Sequence, residues 1–416
     1  MYHKDRMQRA TILKQRALEI GFDLAGIAPL SIWEDLGFSR RWVEQGYGGE
    51  MRYLDNPKRD DPRRILPSVK SVVCVGLVYN APFPYSTEIS KKSEAQRVLR
   101  RPVRSPEASS DPELRDSGLR DSERAWISRY AWGRDYHEVM RARLEKLRSV
   151  IEAFEPRVET RVYVDTGPIV ERAFARYSGI GWTGKNTCLI NEAKGSWFFI
   201  GVVLTSLELE PDLPAPDRCG SCARCLEACP TGALVEPYVM DASRCIAYFT
   251  IELKGSIPRE FRPAIGSNVF GCDICQDVCP WNSRQPSVVS SPSRQVATSD
   301  AAEFQPLEVK SPDNDSSFSL FSPQIEDLAS LTEDDFRRIF SHSPIKRAKF
   351  RGWLRNLCVA MGNSGDPGFV PWLERARQHP DAVVREHAEW ALERLAHVGE
   401  GSLSYCSPAE TKTGGP

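Results

Sequence analysis

Eight of the twelve cysteines in this 416-residue chain lie between Cys219 and Pro280, in two groups with regular spacing. The first group, CGSCARCLEACP, has the C-x2-C-x2-C-x3-C-P pattern with which bacterial ferredoxins bind a [4Fe–4S] cluster. The second group, CDICQDVCP, lacks the leading cysteine, which Cys245 can supply. In this pattern the fourth thiolate faces away from the first three and serves the other cluster. The spacing therefore predicts two clusters, one bound by Cys219, Cys222, Cys225 and Cys279 and the other by Cys229, Cys245, Cys272 and Cys275.

Two other uses of these cysteines are open. Structural zinc sites contain similar C-x2-C knuckles, and a small disulfide framework also uses paired cysteines. Zinc sites rarely have the C-x2-C-x2-C-x3-C-P spacing, so the pattern favours iron–sulfur clusters over both alternatives.

Asp165 is a second candidate for chemistry. It lies between a predicted strand, RVYV, and a predicted helix that Pro168 opens and that runs through Tyr177. Proteins of the α/β class bind ligands at the carboxyl ends of sheet strands, so an aspartate there can act on a ligand. It can equally cap the helix by accepting from its first free N–H groups. His137, near the start of another helix, is open to the same two interpretations, chemical or packing and capping.

The elements that must position these residues alternate between helices and strands. An amphipathic helix ends at Gly21, the strand DLAGIAPL follows, and SRRWVEQG forms a second helix. Residues Ser71–Tyr79 form an almost unbroken apolar run, which is typical of a strand covered on both faces. A long amphipathic helix and the strands NTCLI and SWFFIGVVL come later, separated by the glycine-rich turn GWTGK, which could cradle an anion. This order predicts an α/β fold.

Composition limits the class of protein. A content of 41% hydrophobic residues is enough to bury a full core, and no apolar run approaches the roughly 20 residues of a membrane span. The N-terminus is a charged amphipathic helix rather than a signal peptide, which predicts a cytoplasmic protein. In that reducing compartment Cys74, Cys188, Cys358 and Cys406 are expected to be unpaired. A net charge of −1 indicates that any binding to nucleic acid comes from a local patch.

Several blocks of the sequence together resemble one family. These are SRYAWGRDYH, VDTGPIVERAFARYSGIGWTGKN, the double ferredoxin motif and EPYVMDASRCIAYFTIELKGSIP. They are similar to epoxyqueuosine reductases, which are cobalamin-dependent, contain two [4Fe–4S] clusters and perform the last step of queuosine synthesis on tRNA. The resemblance extends from Arg6 to about Leu395, and excludes the stretch around Pro84–Ser122 and much of the region from Gln285 to about Ser317.

The resemblance implies a reaction and a role for Asp165. The clusters would pass electrons one at a time to cobalamin, whose Co(I) form would attack an epoxide carbon. Asp165 matches the family's proton donor and would protonate the opening oxygen, provided that burial raises its pKa enough to keep it protonated.

The resemblance also implies where the cofactor lies. Base-off cobalamin is expected between the N-terminal domain and the ferredoxin-like domain, in contact with Asp165 and with Leu189 and Ile200 as contacts of its tail. Asn56 occupies a further contact position, at which arginine is expected in relatives, so this chain departs from the family pattern there.

The sequence predicts three folded units. They are an α/β cobalamin-binding domain, a two-cluster ferredoxin-type domain and a small all-α domain similar to a HEAT-type helical unit. The predicted boundaries are 1–210 with a flexible insertion at 82–123, then 211–282, a linker at 283–323, the helical domain at 324–398 and a disordered tail at 399–416.

The predicted helical domain contains a basic group between Lys346 and Arg355, which contains no acid and includes Trp353. A solvated helix face is one interpretation of it. The resemblance to a tRNA-modifying family favours contact with tRNA phosphates, with the loop Lys58–Arg64 as the alternative RNA site. The predicted tRNA contacts are Lys346, Arg347, Lys349, Arg351 and Arg355.

Two rival functions remain open from the sequence. A reductive dehalogenase would also combine cobalamin with two clusters, but such enzymes typically carry a twin-arginine signal, which is not visible here. A non-catalytic electron carrier would hold the clusters without cobalamin, and Asp165 would then be only a helix cap. The expected partners are tRNA carrying epoxyqueuosine in its anticodon loop and an external electron donor, with the protein acting as a monomer away from membranes.

Overall fold

The structure, a computed structural model, describes residues 2–89, 123–282, 298–299, 301–310 and 317–401. The α-helices are α1 Tyr2–Ile20, α2 Trp33–Glu44, α3 Tyr136–Glu152, α4 Glu171–Tyr177, α5 Arg224–Ala228, α6 Arg262–Ile265, α7 Ile274–Asp277, α8 Ile325–Ala329, α9 Glu333–Ile339, α10 Lys349–Ser364, α11 Val370–Ala376 and α12 Ala382–Gly401. The strands are β1 Leu24–Ala28, β2 Ser71–Val78, β3 Trp126–Ile127, β4 Thr160–Tyr163, β5 Trp182–Thr183, β6 Leu189–Ile190, β7 Phe198–Thr205, β8 Leu234–Glu236, β9 Val239–Met240, β10 Asn268–Phe270, β11 Glu308–Lys310 and β12 Ser317–Ser319.

The N-terminal region is built on a four-stranded sheet in the order β1-β2-β7-β4. Each neighbouring pair is antiparallel, and β2 pairs with β7 along its whole length, from Ser71 opposite Thr205 to Val78 opposite Phe198. The apolar run predicted as a covered strand is therefore confirmed as the central part of the sheet. Its neighbours are antiparallel, so the rule for ligands at the ends of parallel strands does not apply here.

Helices cover both faces of this sheet, because the side chains of β2 alternate between two cores. Val73 and Val75 pack on one face with residues of α1 and α3, such as Leu13 and Leu144. Val72, Cys74 and Val78 pack on the other face with residues of α2 and α4. The helix–sheet–helix layering predicted from the sequence is present.

The cluster-binding segment and the C-terminal helices share one hydrophobic core rather than two. This core joins Phe249 and Phe270 to Trp353 and Leu357 of α10. Strand β3 also belongs to this half of the molecule, since it pairs in parallel with β10. The predicted boundary at 283–323 therefore does not separate two cores within the described residues.

The linker prediction is wrong for residues 301–310 and 317–323. Strands β11 and β12 pair with each other, and Val309, Phe318 and Leu320 are buried in the shared core. The apolar residues of this segment stand singly among Ser, Pro and Asp. The average composition of the segment is therefore polar and does not indicate the packing. The flexible-insertion prediction is likewise wrong at its start, because Tyr85 is buried and its hydroxyl donates to the Asn282 carbonyl at 2.6 Å. Residues 90–122 lie outside the described residues.

The C-terminal helices α10 and α12 approach each other closely. A Cβ at Gly362 would lie 2.9 Å from the Cα of Ala391, so only glycine fits this crossing. Helix α12 continues to Gly401, so the prediction of a disordered tail is wrong for residues 399–401. Residues 402–416, with Cys406, lie outside the described residues. Across the described ranges no helix is both long enough and apolar enough to cross a membrane.

Candidate active site and cluster-binding loops

Asp165 lies in the loop between β4 and α4 with a positive φ of 56°, a backbone region in which aspartate is one of the better tolerated residues. Helix α4 begins at Glu171, its N-cap is Val170, and no side chain caps it. The helix-cap interpretation of Asp165 is therefore wrong. The side chain of Asp165 is 47% exposed and points towards α3 and the C-terminal helical region.

Three donors surround one oxygen of the Asp165 carboxylate. The Tyr136 hydroxyl donates to Oδ2 at 2.9 Å, and His137 Nε2 lies 3.4 Å from the same atom. The third donor, Arg347, comes from the short helical turn Pro344–Ala348 and places a guanidinium nitrogen 3.5 Å away. The predicted basic group thus contributes one residue to this site.

The first turn of α3 holds His137 in place. Asp135 is the N-cap of this helix, and its carboxylate accepts from the His137 backbone N–H at 3.1 Å and contacts His137 Nδ1 at 2.7 Å. Lys346 Nζ donates to the other oxygen of Asp135 at 2.8 Å. His137 therefore lies between two carboxylates, those of the helix-capping Asp135 and the half-exposed Asp165.

These contacts set the protonation states of the site. Burial opposes ionisation of Asp165, but the hydrogen bonds from His137 and Tyr136 and the charge of Arg347 outweigh it, so the pKa of Asp165 is lowered. Burial alone would lower the pKa of His137, but its two carboxylate partners raise that pKa to about 9. In this structure burial is therefore outweighed, and the pKa of Asp165 lies below its ordinary value.

Asp165 forms part of the wall of a cleft of about 740 Å³. One side of the cleft comes from α2, the loop 51–59 and α4, and the other side comes from residues 215–242 of the cluster-binding half. Apolar and aromatic side chains, among them Phe38, Trp42, Leu54 and Met240, alternate with charged ones. Among the described residues that line this cleft there is no histidine or cysteine.

Glu171, at the start of α4, is a second carboxyl group in this cleft. Burial raises its pKa to about 8, and the charge of nearby Asp165 acts in the same direction. Its Oε1 atom is buried without a hydrogen-bond partner. Sequence reasoning missed Glu171 and Tyr136, although both lie inside the blocks that carry the family resemblance.

Of the predicted cofactor contacts, Asp165 lines this cleft, and Leu189, Ile200 and Asn56 do not. Leu189 is buried in the core on the α4 side of the sheet, and Ile200 packs against the same core. Asn56 is exposed, and its side-chain oxygen accepts from the Lys58 backbone N–H at 3.1 Å. Contact between these residues and a cofactor remains a prediction.

The cysteines fall into two spatial groups. A second cavity, of about 570 Å³, is lined by Cys219, Cys222, Cys225 and Cys279 together with Trp281, and by none of the other four predicted ligands. Burial, together with the charges of neighbouring Cys219 and Cys225, raises the pKa of the Cys279 thiol to about 12. The first ligand set predicted from spacing thus lines one cavity, and its binding of a cluster stays a prediction.

The other four cysteines also lie near one another. Burial raises the pKa of Cys245, and the charge of Cys229 adds to the effect. Burial also raises the pKa of Cys272, and the charge of Cys245 adds to the effect. All cysteines in the described residues are free thiols, including Cys74, Cys188 and Cys358.

Buried polar contacts fix the second cysteine loop. The carboxylate of Asp273, next to Cys272, accepts from the Ser128 hydroxyl at 2.5 Å and from the Arg129 backbone N–H at 2.8 Å. The indole N–H of Trp126 donates to the same carboxylate at 3.1 Å. The segment 126–129 thus positions the loop, and no local signal in the sequence indicates this long-range contact.

The predicted tRNA-binding residues have different environments. Lys346 and Lys349 are exposed, and Arg351 is exposed while pairing with Asp381 at 3.5 Å. Arg347 pairs with Glu252 at 2.6 Å and with Asp165 at 3.5 Å, which places its guanidinium beside the Asp165 carboxylate. The predicted set is thus split between the surface and the interior.

Arg355 is 1% exposed, so its prediction as a phosphate contact is wrong. Its guanidinium donates to the carbonyls of Phe249, Leu253 and Gly255, the latter two at 2.8 Å. Phe249 lies in the π-helical segment Tyr248–Glu252, Leu253 is its C-cap and Gly255 follows it, so the buried arginine satisfies carbonyls at the end of this segment and just beyond it. Trp353, placed in the same basic group, is completely buried.

A carboxylate-bearing cleft beside two groups of ferredoxin-type cysteines defines an iron–sulfur oxidoreductase. Residues 218–282 match the model of the 4Fe-4S double cluster binding domain, and residues 59–166 match the model described as Epoxyqueuosine reductase QueG, DUF1730. The chain is 38% identical over 397 residues to the epoxyqueuosine reductase of Pseudomonas aeruginosa, covering 94% of this chain and 95% of the relative. The chain belongs to the epoxyqueuosine reductase family.

Other relatives agree with this assignment. The Escherichia coli K12 epoxyqueuosine reductase is 35% identical over 395 residues, which cover 93% of this chain and 90% of the relative. A crystal structure of an epoxyqueuosine reductase with an epoxyqueuosine-modified tRNA-Tyr stem loop has a TM-score of 0.73 and 28% identity, covering 96% of this chain and 95% of its own. The Bacillus subtilis enzyme, solved with its catalytic aspartate loop swung out of the active site, has a TM-score of 0.69 and 27% identity, with coverage of 96% and 94%.

Proposed function

We propose that this chain reduces epoxyqueuosine to queuosine in the anticodon loop of tRNA, with the Asp165 cleft as the active site. One observation carries the proposal. The cleft that contains Asp165 is bounded on one side by the N-terminal α/β layers and on the other by residues 215–242 of the cluster-binding half. A substrate in this cleft meets a proton-carrying group on one wall and an electron source behind the other.

The reaction needs two electrons, which protein side chains do not supply, so a cofactor must hold them at the substrate. The side chains that line the cleft are of the kinds that cobalamin needs. Apolar side chains such as Leu54 and Met240 can pack against the macrocycle, and Arg59 and Arg172 can pair with its phosphate. Cobalamin bound there would supply the reducing electrons to the epoxide carbon. Leu189 and Ile200 are proposed to contact the tail through their backbone.

Asp165 is proposed as the group that protonates the epoxide oxygen. A substrate that fills the cleft removes water from this half-exposed carboxyl, and desolvation raises its pKa. His137, whose pKa of about 9 keeps it protonated at neutral pH, lies 3.4 Å from Asp165 and can pass it a proton. Tyr136 and Arg347 then hold the carboxyl in position for the transfer.

The ligation of the two clusters is proposed from the spatial groups. Cys219, Cys222, Cys225 and Cys279 would bind the first cluster, since these four line one cavity. Cys229, Cys245, Cys272 and Cys275 would bind the second. An external one-electron donor would refill the clusters after each turnover, because one chain with two clusters holds too few electrons for repeated cycles.

Contact with tRNA is proposed for the exposed part of the basic group. Lys346, Lys349 and Arg351 are exposed, and Arg347, next to them, reaches Asp165. Phosphates held at the first three would place the anticodon loop over the cleft. Arg355 is not part of this proposal. We further propose that the protein acts as a monomer in the cytoplasm, where a reducing environment preserves iron–sulfur thiolates.

The function is tested by incubating the anaerobically reconstituted protein with epoxyqueuosine-containing tRNA, cobalamin and a chemical reductant. Mass spectrometry of the digested tRNA should show queuosine. Omission of cobalamin should abolish the product while leaving the cluster absorbance unchanged. Product formation without cobalamin would refute the cofactor assignment, and absence of product with all cofactors bound would refute the function.

A further inference from the structure

The turn Gly184–Cys188 lies between the two cysteine loops and the Asp165 cleft. We propose that Lys185 in this turn raises the reduction potential of the cluster bound by Cys219, Cys222, Cys225 and Cys279, while Asn186 anchors the loop of the other cluster. This proposal rests on the cluster ligation proposed above, but not on cobalamin, tRNA or the reaction.

Adjacent side chains of the turn contact different loops. Lys185 Nζ donates to the carbonyl of Gly220 at 2.6 Å and to the carbonyl of Cys222 at 2.9 Å, both in the first cysteine loop. The Asn186 side-chain amide donates to the carbonyl of Cys275, in the second loop, at 3.1 Å. One short segment therefore holds both loops.

The turn itself is closed by backbone hydrogen bonds. The Gly184 N–H donates to the Cys188 carbonyl at 2.8 Å, and the Thr187 N–H donates to the Gly184 carbonyl at 2.8 Å. The Asn186 side-chain oxygen accepts from the Cys188 N–H at 3.2 Å. These contacts fix the directions in which Lys185 and Asn186 extend.

The other side of the turn faces the Asp165 cleft. Thr183 and Thr187 line that cleft, and Arg172 of its wall donates to the Thr187 carbonyl at 2.8 Å. Lys185 and Asn186 also border the second cavity, which is lined by Cys219, Cys222, Cys225 and Cys279. The turn thus connects both cysteine loops to the wall of the Asp165 cleft.

Lys185 differs from Asn186 because it carries a charge. Among the described residues no carboxylate forms an ion pair with Lys185, whose ammonium instead contacts the two carbonyls. Reduction adds one negative charge to a cluster, and a fixed positive charge nearby stabilises the reduced form. Net charge and hydrogen bonds around the sulfurs are known determinants of cluster potential. Lys185 should therefore make the adjacent cluster easier to reduce.

The test is an anaerobic redox titration of the cluster-loaded chain, followed by electron paramagnetic resonance, without cobalamin or tRNA. Lys185→Gln removes the charge and keeps a donor, and Lys185→Arg keeps both. We expect Lys185→Gln to retain about eight irons per chain, as two four-iron clusters require. The reduction equilibrium of one cluster should become about tenfold less favourable. For one electron this makes the potential of that cluster more negative by about 59 mV. Lys185→Arg should remain near the unsubstituted chain.

Asn186→Ala serves as a matched neutral change in the neighbouring residue, and it should leave the first cluster's potential in place. The first cluster is identified as the one whose signal Cys279→Ala removes. Unchanged potentials in Lys185→Gln would overturn the proposal. So would loss of four irons in that variant, or an equal shift of both potentials. Since the titration omits the substrate, a protein that fails the tRNA assay can still pass this one.

Discussion

Arg347 should control the pH dependence of turnover through its charge on Asp165. Its guanidinium lies 3.5 Å from Asp165 Oδ2, and Glu252 holds it there at 2.6 Å. Replacing it by methionine removes the charge while keeping much of the length and apolar volume. Tyr136 and His137 remain in contact with the carboxylate, so Asp165 keeps two of its three donors.

The size of the effect follows from this geometry. An opposite charge within about 4–6 Å lowers the pKa of a carboxyl group by about 1–3 units. The side chains of Arg347 and Asp165 are 37% and 47% exposed, and Glu252 competes for the same guanidinium, so the lower end of that range applies. We therefore expect Arg347→Met to raise the pKa of Asp165 by about one unit, which means about ten times more protonated carboxyl above that pKa.

The assay is single-turnover conversion of epoxyqueuosine-containing tRNA as a function of pH, with saturating protein. A proton donor works in its acid form, so the rate falls as pH rises through its pKa. In Arg347→Met this fall should occur about one pH unit higher than in the unsubstituted chain, as expected from the lost charge. Arg347→Lys keeps the charge and should leave the profile near its original position. A profile that does not move in Arg347→Met, or that moves to lower pH, would refute the role assigned to Asp165.

Three further predictions test other parts of the structure. Cys279→Ala should damage the cluster held by Cys219, Cys222 and Cys225, and loss of the Cys245 cluster signal instead would contradict the ligation proposed here. Arg355→Met leaves buried carbonyls without a donor and should lower the free energy of unfolding by about 3 kcal/mol or more, whereas exposed Arg351→Met should cost about 0.5 kcal/mol or less. Equal denaturant midpoints for these two variants would contradict the burial argument. Lys349→Glu should weaken tRNA binding and lower the slope of log affinity against log salt by roughly 0.7–0.9 per lost contact, while iron content stays constant. Unchanged affinity would move the RNA site, most directly to the loop Lys58–Arg64.

The features that the sequence predicted well are those encoded by local spacing. The cysteine motif fixes its ligand pattern within a few residues, and the strand Ser71–Val78 is recognisable because nearly every residue in it is apolar. Helices on both faces of the sheet follow from the same run, since a strand buried on both sides needs cover on both sides. The direction of the neighbouring strands does not follow from that run.

The features that it missed depend on contacts between distant segments. Arg347 reaches Asp165 only because the C-terminal turn folds back over the first turn of α3, where Lys346 pairs with Asp135. In the sequence Arg355 cannot be distinguished from the exposed cations around it. Its charge is buried because the π-helical segment Tyr248–Glu252 packs against it. The lowered pKa of Asp165 has the same origin, because two of its three donors come from α3 and the third from the C-terminal region.

The most direct test of the account is the Asp165→Asn variant in the tRNA conversion assay. Asparagine keeps the shape of the side chain but cannot deliver the proton. The variant should bind cobalamin and both clusters as the unsubstituted chain does, and its single-turnover rate should fall by about 10²–10⁴-fold, the usual contribution of general acid catalysis. Unimpaired conversion by a fully loaded Asp165→Asn protein would contradict the assignment of this cleft as the active site.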